Sequence, residues 1–347
     1  MKLLINRIYP DIFRIKIPLL GPLRYVNSYV VKGAERILII DPGPYQKSGE
    51  IVFRLAMLRL NVNIDKSIFF LTHFHGDHSG MALKLAAISN SEVYISRLEG
   101  SRIKELINVN EWIKEISSFA LENGFPKDEI DEVLKEHPGV KRGFQKVSEL
   151  NFLDNQSTIN VDGYKFKCII TPGHTPGHIC LYEQKKKFLI SGDHILEKIT
   201  PNISAWSYHE DPLNEYLSSI KKMSTLSVNL VLPGHGRIFK DLKKRCLELI
   251  NHHKQRLFEI LSLLKEGSQN AYSIASKIKW DVPYASWKSL PGIQKWFAFG
   301  ETIAHLNFLV KRNAIEKKLK NDIVTFKLVN DEIIKVFAEI FSREFFQ

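Results

Sequence analysis

Cysteine is scarce. The 347 residues contain three, and Cys168, Cys180 and Cys246 show no paired spacing. That excludes a disulfide framework and a thiolate zinc knuckle as organising principles, and a reducing cytoplasm is the expected setting. Long apolar runs are missing as well. None approaches the roughly 18–20 residues that cross a bilayer, so no membrane partner is expected. The opening MKLLINRIYPDIFRIKIPLL is interrupted by Arg7, Pro10, Asp11, Arg14 and Pro18. It lacks a continuous signal-peptide core and reads as two strands. Internal repeats and low-complexity tracts are absent too.

What remains is a globular balance, 44% hydrophobic and 25% charged, with a formal charge of +11. The charge is uneven: Arg237 to Gln347 holds 20 basic and 12 acidic residues, whereas 29 basic and 26 acidic residues precede it. Such a basic third suits nucleic acid or a phosphate-bearing substrate. A solvated Lys-rich surface is the plainer explanation.

Periodicity along the chain alternates between strand and helix. YVNSYVVKGAERILII (25–40) predicts two strands ending at DPGP. SGEIVFRLAMLRL has helical spacing, KSIFFLT is a short apolar strand, MALKLAAIS a helix and EVYIS a strand. Repeated strand–loop–helix units indicate a layered α/β sandwich. From about 97 to 150 amphipathic helices replace strands, which suggests a helical insertion able to act as a lid. STINVDGYKFKCIIT, HICLYE, KFLISGD and NLVLPGHG restore the strands, with a helix over NEYLSSIKKMSTL. A long helix from Asp241 leads to a short helix, a longer one, and a strand pair over IEKKLKNDIVTFKLV, the order of a winged-helix module. The expected domains are residues 1–245, carrying the insertion, and 246–347.

The chemistry gathers where strands end. LTHFHGDHSG (71–80) puts His73, His75, Asp77 and His78 within six positions. Imidazole and carboxylate are good ligands for zinc, iron or manganese. Residues two apart at a strand end share a side, so His73 and His75 can hold one metal. Asp77 and His78, opening the next helix, can hold another. TPGHTPGH adds His174 and His178, SGDH adds Asp193 and His194, and LPGHG adds His235. Asn202, in TPNIS, is a candidate substrate contact or simply a turn residue. His252 and His253 are expected on a polar helix face.

HxHxDH, PGHTPG, GD and PGHG in this order, after LIIDPGP, resemble the signature of the metallo-β-lactamase fold over most of residues 25–240. The resemblance implies an α/β, αββα sandwich. It also implies two divalent cations, zinc by default with iron or manganese compatible. Site one would be His73, His75 and His174; site two would be Asp77, His78 and His235, with Asp193 bridging both. Asp41 would support the metal loop from behind, and His178 would be structural or stand behind the ligands. His194 would point away from Asp193 or toward substrate. A bridging hydroxide would then attack a polarised carbonyl or phosphoryl group, with Asp77 and Asp193 as catalytic carboxylates.

The likeness extends further. SGDHILEKITPNIS, LPGHGRIFKDLKKRCLELINHHKQRL, AYSIA and FGETIAHLNFLVKRN resemble the lactamase-beta-2-like, glyoxalase II-like branch, with its C-terminal winged-helix-like domain. That branch implies a small-molecule thioester or ester substrate, as for hydroxyacylglutathione hydrolases, or else endonucleolytic cleavage of single-stranded RNA. A mononuclear iron persulfide dioxygenase, using His73, His174 and Asp193, is a lesser alternative. The chain after His235 lacks the Tyr- and Asn-containing glutathione pattern of true glyoxalase II. Trp280, Trp287 and Trp296 could stack RNA bases, but Trp296 to Leu309 has the spacing of a packed helix, which suits a domain or homodimer interface better.

Overall fold

The structure is a computed structural model describing residues 5–21, 23–106, 109–137, 149–330 and 332–346. Two compact units divide the chain. One comprises the described residues of Met1–Ile107, Arg142–Pro201 and Thr225–Arg245; the other those of Asn108–Lys141, Asn202–Ser224 and Cys246–Gln347.

The first unit holds two mixed sheets. Strands β1 (Ile5–Tyr9), β2 (Ile12–Pro18), β3 (Tyr25–Lys32), β4 (Ile37–Ile40), β5 (Ser67–Phe70), β6 (Glu92–Ser96) and β7 (Asn151–Leu153) lie in sequence order. The first four pair antiparallel, and β4 to β7 pair parallel. The second sheet runs β12 (Leu230–Pro233), β11 (Phe188–Gly192), β10 (Ile179–Glu183), β9 (Tyr164–Ile170), β8 (Thr158–Val161), antiparallel except for the parallel β11–β12 pair. All of these strands except β7 are expected from the sequence; the three residues of β7 are too few to show a period.

Alternation along the strands builds two cores. Leu38, Ile40, Ile68 and Phe70 point toward Phe166, Cys168, Leu181 and Phe188 of the second sheet. The intervening Ile39, Phe69 and Leu71 point the other way, onto Val52, Phe53, Ala56 and Met81. Those partners come from helices α1 (Lys47–Arg59) and α2 (Gly76–Ala86), which cover the outer face. Buried on both faces, β4 is apolar throughout and β5 is apolar after Ser67, as parallel strands are. Helix α3 (Arg97–Glu105) follows β6 directly.

The second unit gathers α4 (Val109–Glu122), α5 (Lys127–Glu136), α6 (Pro212–Met223), α7 (Leu242–Leu264) from Cys246 onward, α8 (Ala271–Lys277), α9 (Gly292–Lys311), the hairpin β13 (Ile315–Lys320) and β14 (Ile323–Leu328), and α10 (Ile333–Phe346). Of the expected insertion, α3 belongs to the first unit, α4 and α5 group with the C-terminal residues, and 138–148 lie outside the described residues. The grouping follows packing: Lys295 of α9 bonds Glu129 of α5 at 2.8 Å, and Phe125 meets Trp296 edge-on with ring centroids 5.2 Å apart. Among the described residues, no helix is long and apolar enough to cross a membrane.

Phe70 is fully buried between the sheets, whereas Leu58 on α1 is 78% exposed. Phe70→Ala is therefore expected to cost about 3–5 kcal/mol in urea unfolding, and Leu58→Ala less than about 0.5 kcal/mol. Equal midpoints for the two variants would contradict the facing-sheet core.

Candidate metal centre

The strand-end loops of the first unit converge. His73 follows β5, while His75 is the N-cap of α2 and Asp77 and His78 occupy its first turn. His174 lies between β9 and β10, Asp193 follows β11, and His235 follows β12. Donor atoms of His73, His75 and His174 lie within 4.8 Å of one another, as do those of His73, His78 and Asp193, and those of Asp77, His78 and His235. The seven side chains singled out in the sequence are thus brought together.

Hydrogen bonds from behind choose which nitrogen faces inward. Asp41 is buried, with φ 47° in the left-handed region that Asp tolerates better than most residues. Its carboxylate accepts from Thr72 N at 2.9 Å, Thr72 Oγ1 at 2.7 Å and His78 Nδ1 at 2.9 Å. Because the Thr72 hydroxyl donates to Asp41, it accepts from His73 Nδ1 at 2.9 Å. His235 Nδ1 donates to the Tyr25 carbonyl at 2.9 Å. Hence His73, His78 and His235 all present Nε2 to the centre.

The inward atoms crowd together. His75 Nδ1 lies 3.0 Å from His73 Nε2 and 3.1 Å from His174 Nε2. In neutral rings only one hydrogen can sit among these three nitrogens. His78 Nε2 and His235 Nε2 face each other at 3.2 Å, and each is 3.4 Å from Asp193 Oδ2. The same oxygen lies 3.8 Å from His174 Nε2, so Asp193 spans both groups. Asp77 Oδ2 is 3.3 Å from His235 Nε2. Among the described residues, Asp193 Oδ1 is buried with no hydrogen-bond partner. Converging lone pairs and an orphaned carboxylate oxygen fit a divalent cation, with nitrogen and oxygen donors suited to zinc, iron or manganese. Gly234 leaves the room needed: a Cβ there would strike Asp193 Oδ1 and come 2.7 Å from His78 Cε1.

The electrostatics agree. Burial, reinforced by neighbouring imidazoles, pushes His73 well below the ordinary histidine value and His75 down to about 3. At His235 burial also acts downward, but Asp193 and Asp77 outweigh it and hold the ring up at about 10. Burial would raise Asp77 and Asp193, yet the His78 and His235 rings keep both below the usual carboxylate range. The pocket therefore demands positive charge, whether from a proton or from a cation.

The remaining candidates divide. His178 Nε2 accepts the Asp193 amide hydrogen at 3.2 Å and Nδ1 donates to Thr171 Oγ1 at 2.9 Å, so this ring places Asp193. His194 is fully buried, its ring 5.8 Å from that of His178, and burial lowers it to about 3. Asn202 belongs to the second unit, where it accepts from Ser204 Oγ at 2.6 Å and approaches Glu301 Oε2 at 3.4 Å. His253 is not on a polar face as expected: it is fully buried, with Nδ1 3.1 Å from His305 Nε2. It groups with His252 and Glu301, but Arg256 already stands 3.7 Å from that carboxylate.

Sequence reasoning missed Glu99. It is fully buried; Oε2 accepts from Phe74 N at 2.8 Å and Oε1 from Gly177 N at 2.6 Å. Burial pushes its carboxyl up to about 7 against the pull of those two amides. Its visible signal was Ser96-x-x-Glu99, which reads as a helix cap. Asn27 and Tyr29 were missed too: they bond the Pro233 carbonyl at 2.9 and 2.8 Å and fasten the His235 loop to β3.

Several known proteins are similar to this chain in sequence or in fold. The chain is 27% identical over 268 residues to "Beta-lactamase-like protein 2 homolog" of Caenorhabditis elegans, covering 76% of this chain and 75% of that protein. It is 23% identical over 332 residues to "Probable metallo-hydrolase YqjP" of Bacillus subtilis, covering 91% and 98%. "Atrochrysone carboxyl ACP thioesterase" of Aspergillus fumigatus is 25% identical over 244 residues, 70% of this chain and 61% of that one. The crystal structure of metallo-beta-lactamase family protein TTHA1429 from Thermus thermophilus superposes with a TM-score of 0.80 at 23% identity, covering 93% of this chain and all of that one. The family model of the metallo-beta-lactamase superfamily matches residues 21–235, the span that carries every histidine and aspartate of the centre, and the chain belongs to that superfamily as a metallo-hydrolase.

Proposed function

We propose that this enzyme hydrolyses thioesters or esters with two divalent cations, zinc by default. His73, His75 and His174 would hold one, Asp77, His78 and His235 the other, with Asp193 between them. The observation that carries the reading is the Asp193 carboxylate, one oxygen reaching both histidine groups and the other buried without a partner among the described residues. Charge supports two cations. Asp41, Asp77 and Asp193 bring three negative charges; one dication leaves a deficit, whereas two leave a surplus that an incoming anion cancels.

Bound cations supply Lewis acidity, making water nucleophilic near neutral pH and polarising the substrate oxygen. The protein's own residues do the rest. Asp77, with 27% of its side chain exposed, is the most accessible carboxylate of the centre and can accept a hydrogen bond from the attacking water. Asp41, through Thr72, keeps His73 and His78 in the tautomers that aim Nε2 inward. His178 fixes the main chain from which Asp193 projects. All three cysteines are buried outside the cluster, which leaves no exposed thiol to attack, and in the proposed reaction water is the nucleophile. Its oxygen bonds to the acyl carbon, the C–S or C–O bond breaks, and the leaving group takes a proton.

Thioester is favoured over RNA because the tryptophans are engaged. Trp296 is fully buried and stacks on Trp206 with centroids 4.4 Å apart. Trp280 and Trp287 donate their indole N–H groups to Ala275 O at 2.8 Å and Tyr272 Oη at 3.2 Å. The Aspergillus relative is named for thioester cleavage on a carrier protein, and basic residues here would suit the phosphate of such an arm. On this reading residues 246–347 include a winged-helix-like module used for packing or self-association.

The test is turnover of S-lactoylglutathione, an acyl-coenzyme A panel and a single-stranded RNA by the metal-loaded enzyme. The Asp77→Ala, His78→Ala double variant is the blank, expected to lose about 10³-fold in kcat/KM. RNA cleavage without thioester cleavage would overturn the proposal. Separately, chelation should abolish turnover and added zinc restore it. Asp41→Asn should weaken cation binding by about 10–100-fold, measured by competition with a chromophoric chelator. Unchanged affinity would remove Asp41 from the positioning network.

A further inference from the structure

We infer that Glu99 is a positioning residue that locks together the two loops carrying His73, His75 and His174. The inference rests on the metal-centre reading above and adds to it a residue outside every ligand motif. Phe74, whose amide hydrogen bonds Oε2 at 2.8 Å, lies between His73 and His75. Gly177, bonded to Oε1 at 2.6 Å, is three residues beyond His174. The first loop leaves β5 of one sheet and the second leaves β9 of the other. Glu99 itself belongs to a third element, the first turn of α3, where its own amide is capped by Ser96 Oγ at 3.2 Å. A side chain serving only as a cap would return to the Ser96 amide; both oxygens of Glu99 go to the loops instead.

The chemistry calls for a carboxylate. Two inward-pointing amide hydrogens need two acceptors, and charge-assisted bonds to N–H groups are about twice as strong as neutral ones. A glutamine would satisfy one amide and set its own NH₂ against the other. Packing permits no larger neighbour, since a Cβ on Gly177 would collide with Ser96 Oγ and stand 2.8 Å from Leu98 Cβ and 3.1 Å from Glu99 Cγ. With the carboxylate in place, His174 Nε2 is held 3.1 Å from His75 Nδ1 although the two residues are 99 positions apart.

The experiment compares wild type and E99Q for zinc stoichiometry, stepwise affinity by chelator competition, and kcat and KM as functions of free zinc. E99Q should hold one cation about as well as wild type and the other about 10–100-fold more weakly. Its kcat should be lost at limiting zinc and recover at saturating zinc, with KM little changed. Loss of thermal stability with both affinities unchanged would overturn the inference and leave the metal-centre reading intact. A wild type that binds no divalent cation would overturn both. Should E99Q fail to fold, hydrogen exchange on metal-free wild type decides the matter. Protected Phe74 and Gly177 amides support the clamp, and exchange at the rate of open loops refutes it.

Discussion

The Asp41 carboxylate is the constraint on which the centre depends. It sits in a left-handed turn at the end of β4, buried, accepting three hydrogen bonds. Two of them come from Thr72, whose hydroxyl in turn accepts from His73, and the third comes from His78, so one carboxylate sets the tautomers of rings in both histidine groups. Burying an ionised carboxylate is tolerable only when it is fully hydrogen-bonded. The turn that makes those bonds possible stores backbone strain, which the parallel β4–β5 pairing maintains.

Two other holds work differently. Glu99 accepts from the main-chain amides of Phe74 and Gly177, and His178 accepts the amide of Asp193. Asp41 therefore orients side chains, while Glu99 and His178 orient the backbone from which side chains project. Gly177 and Gly234 are what these close approaches require, since neither position has room for a Cβ. Loops held this way keep several nitrogen atoms within about 3 Å of each other, an arrangement that unaided imidazole lone pairs would not adopt.

Much of this was legible in the sequence because strand-end ligands recur in short motifs. The seven ligand-type residues stand in strand-end runs such as KSIFFLT leading into HFHGDH, and the role of Asp41 came through the family resemblance. What escaped did so for physical reasons. Glu99 carries the pattern of a helix cap, and only tertiary contacts divert its oxygens to Phe74 and Gly177. Asn27 and Tyr29 look like ordinary strand residues. His253 lies on a helix whose charged neighbours suggest exposure, yet its partner His305 is 52 positions away on another helix. Local periodicity contains none of these long-range pairings.

The two units use similar ingredients to opposite ends. In the second, the tilted rings of His253 and His305 lie 5.2 Å apart near Glu301, and Arg256 stands 3.7 Å from that carboxylate with its guanidinium 4.0 Å from the Trp280 ring centroid. The protein there supplies its own cation, and the neutral histidines become part of a core. In the first unit, among the described residues, no lysine or arginine pairs with Asp77 or Asp193; their neighbours are histidines. Two carboxylates facing imidazoles, with no lysine or arginine beside them among the described residues, leave a charge to be answered by a proton on those rings or by a bound cation. A histidine cluster is structural when its carboxylate is already answered, and becomes a binding centre when it is not. That difference, rather than the number of histidines, separates His253 from His78.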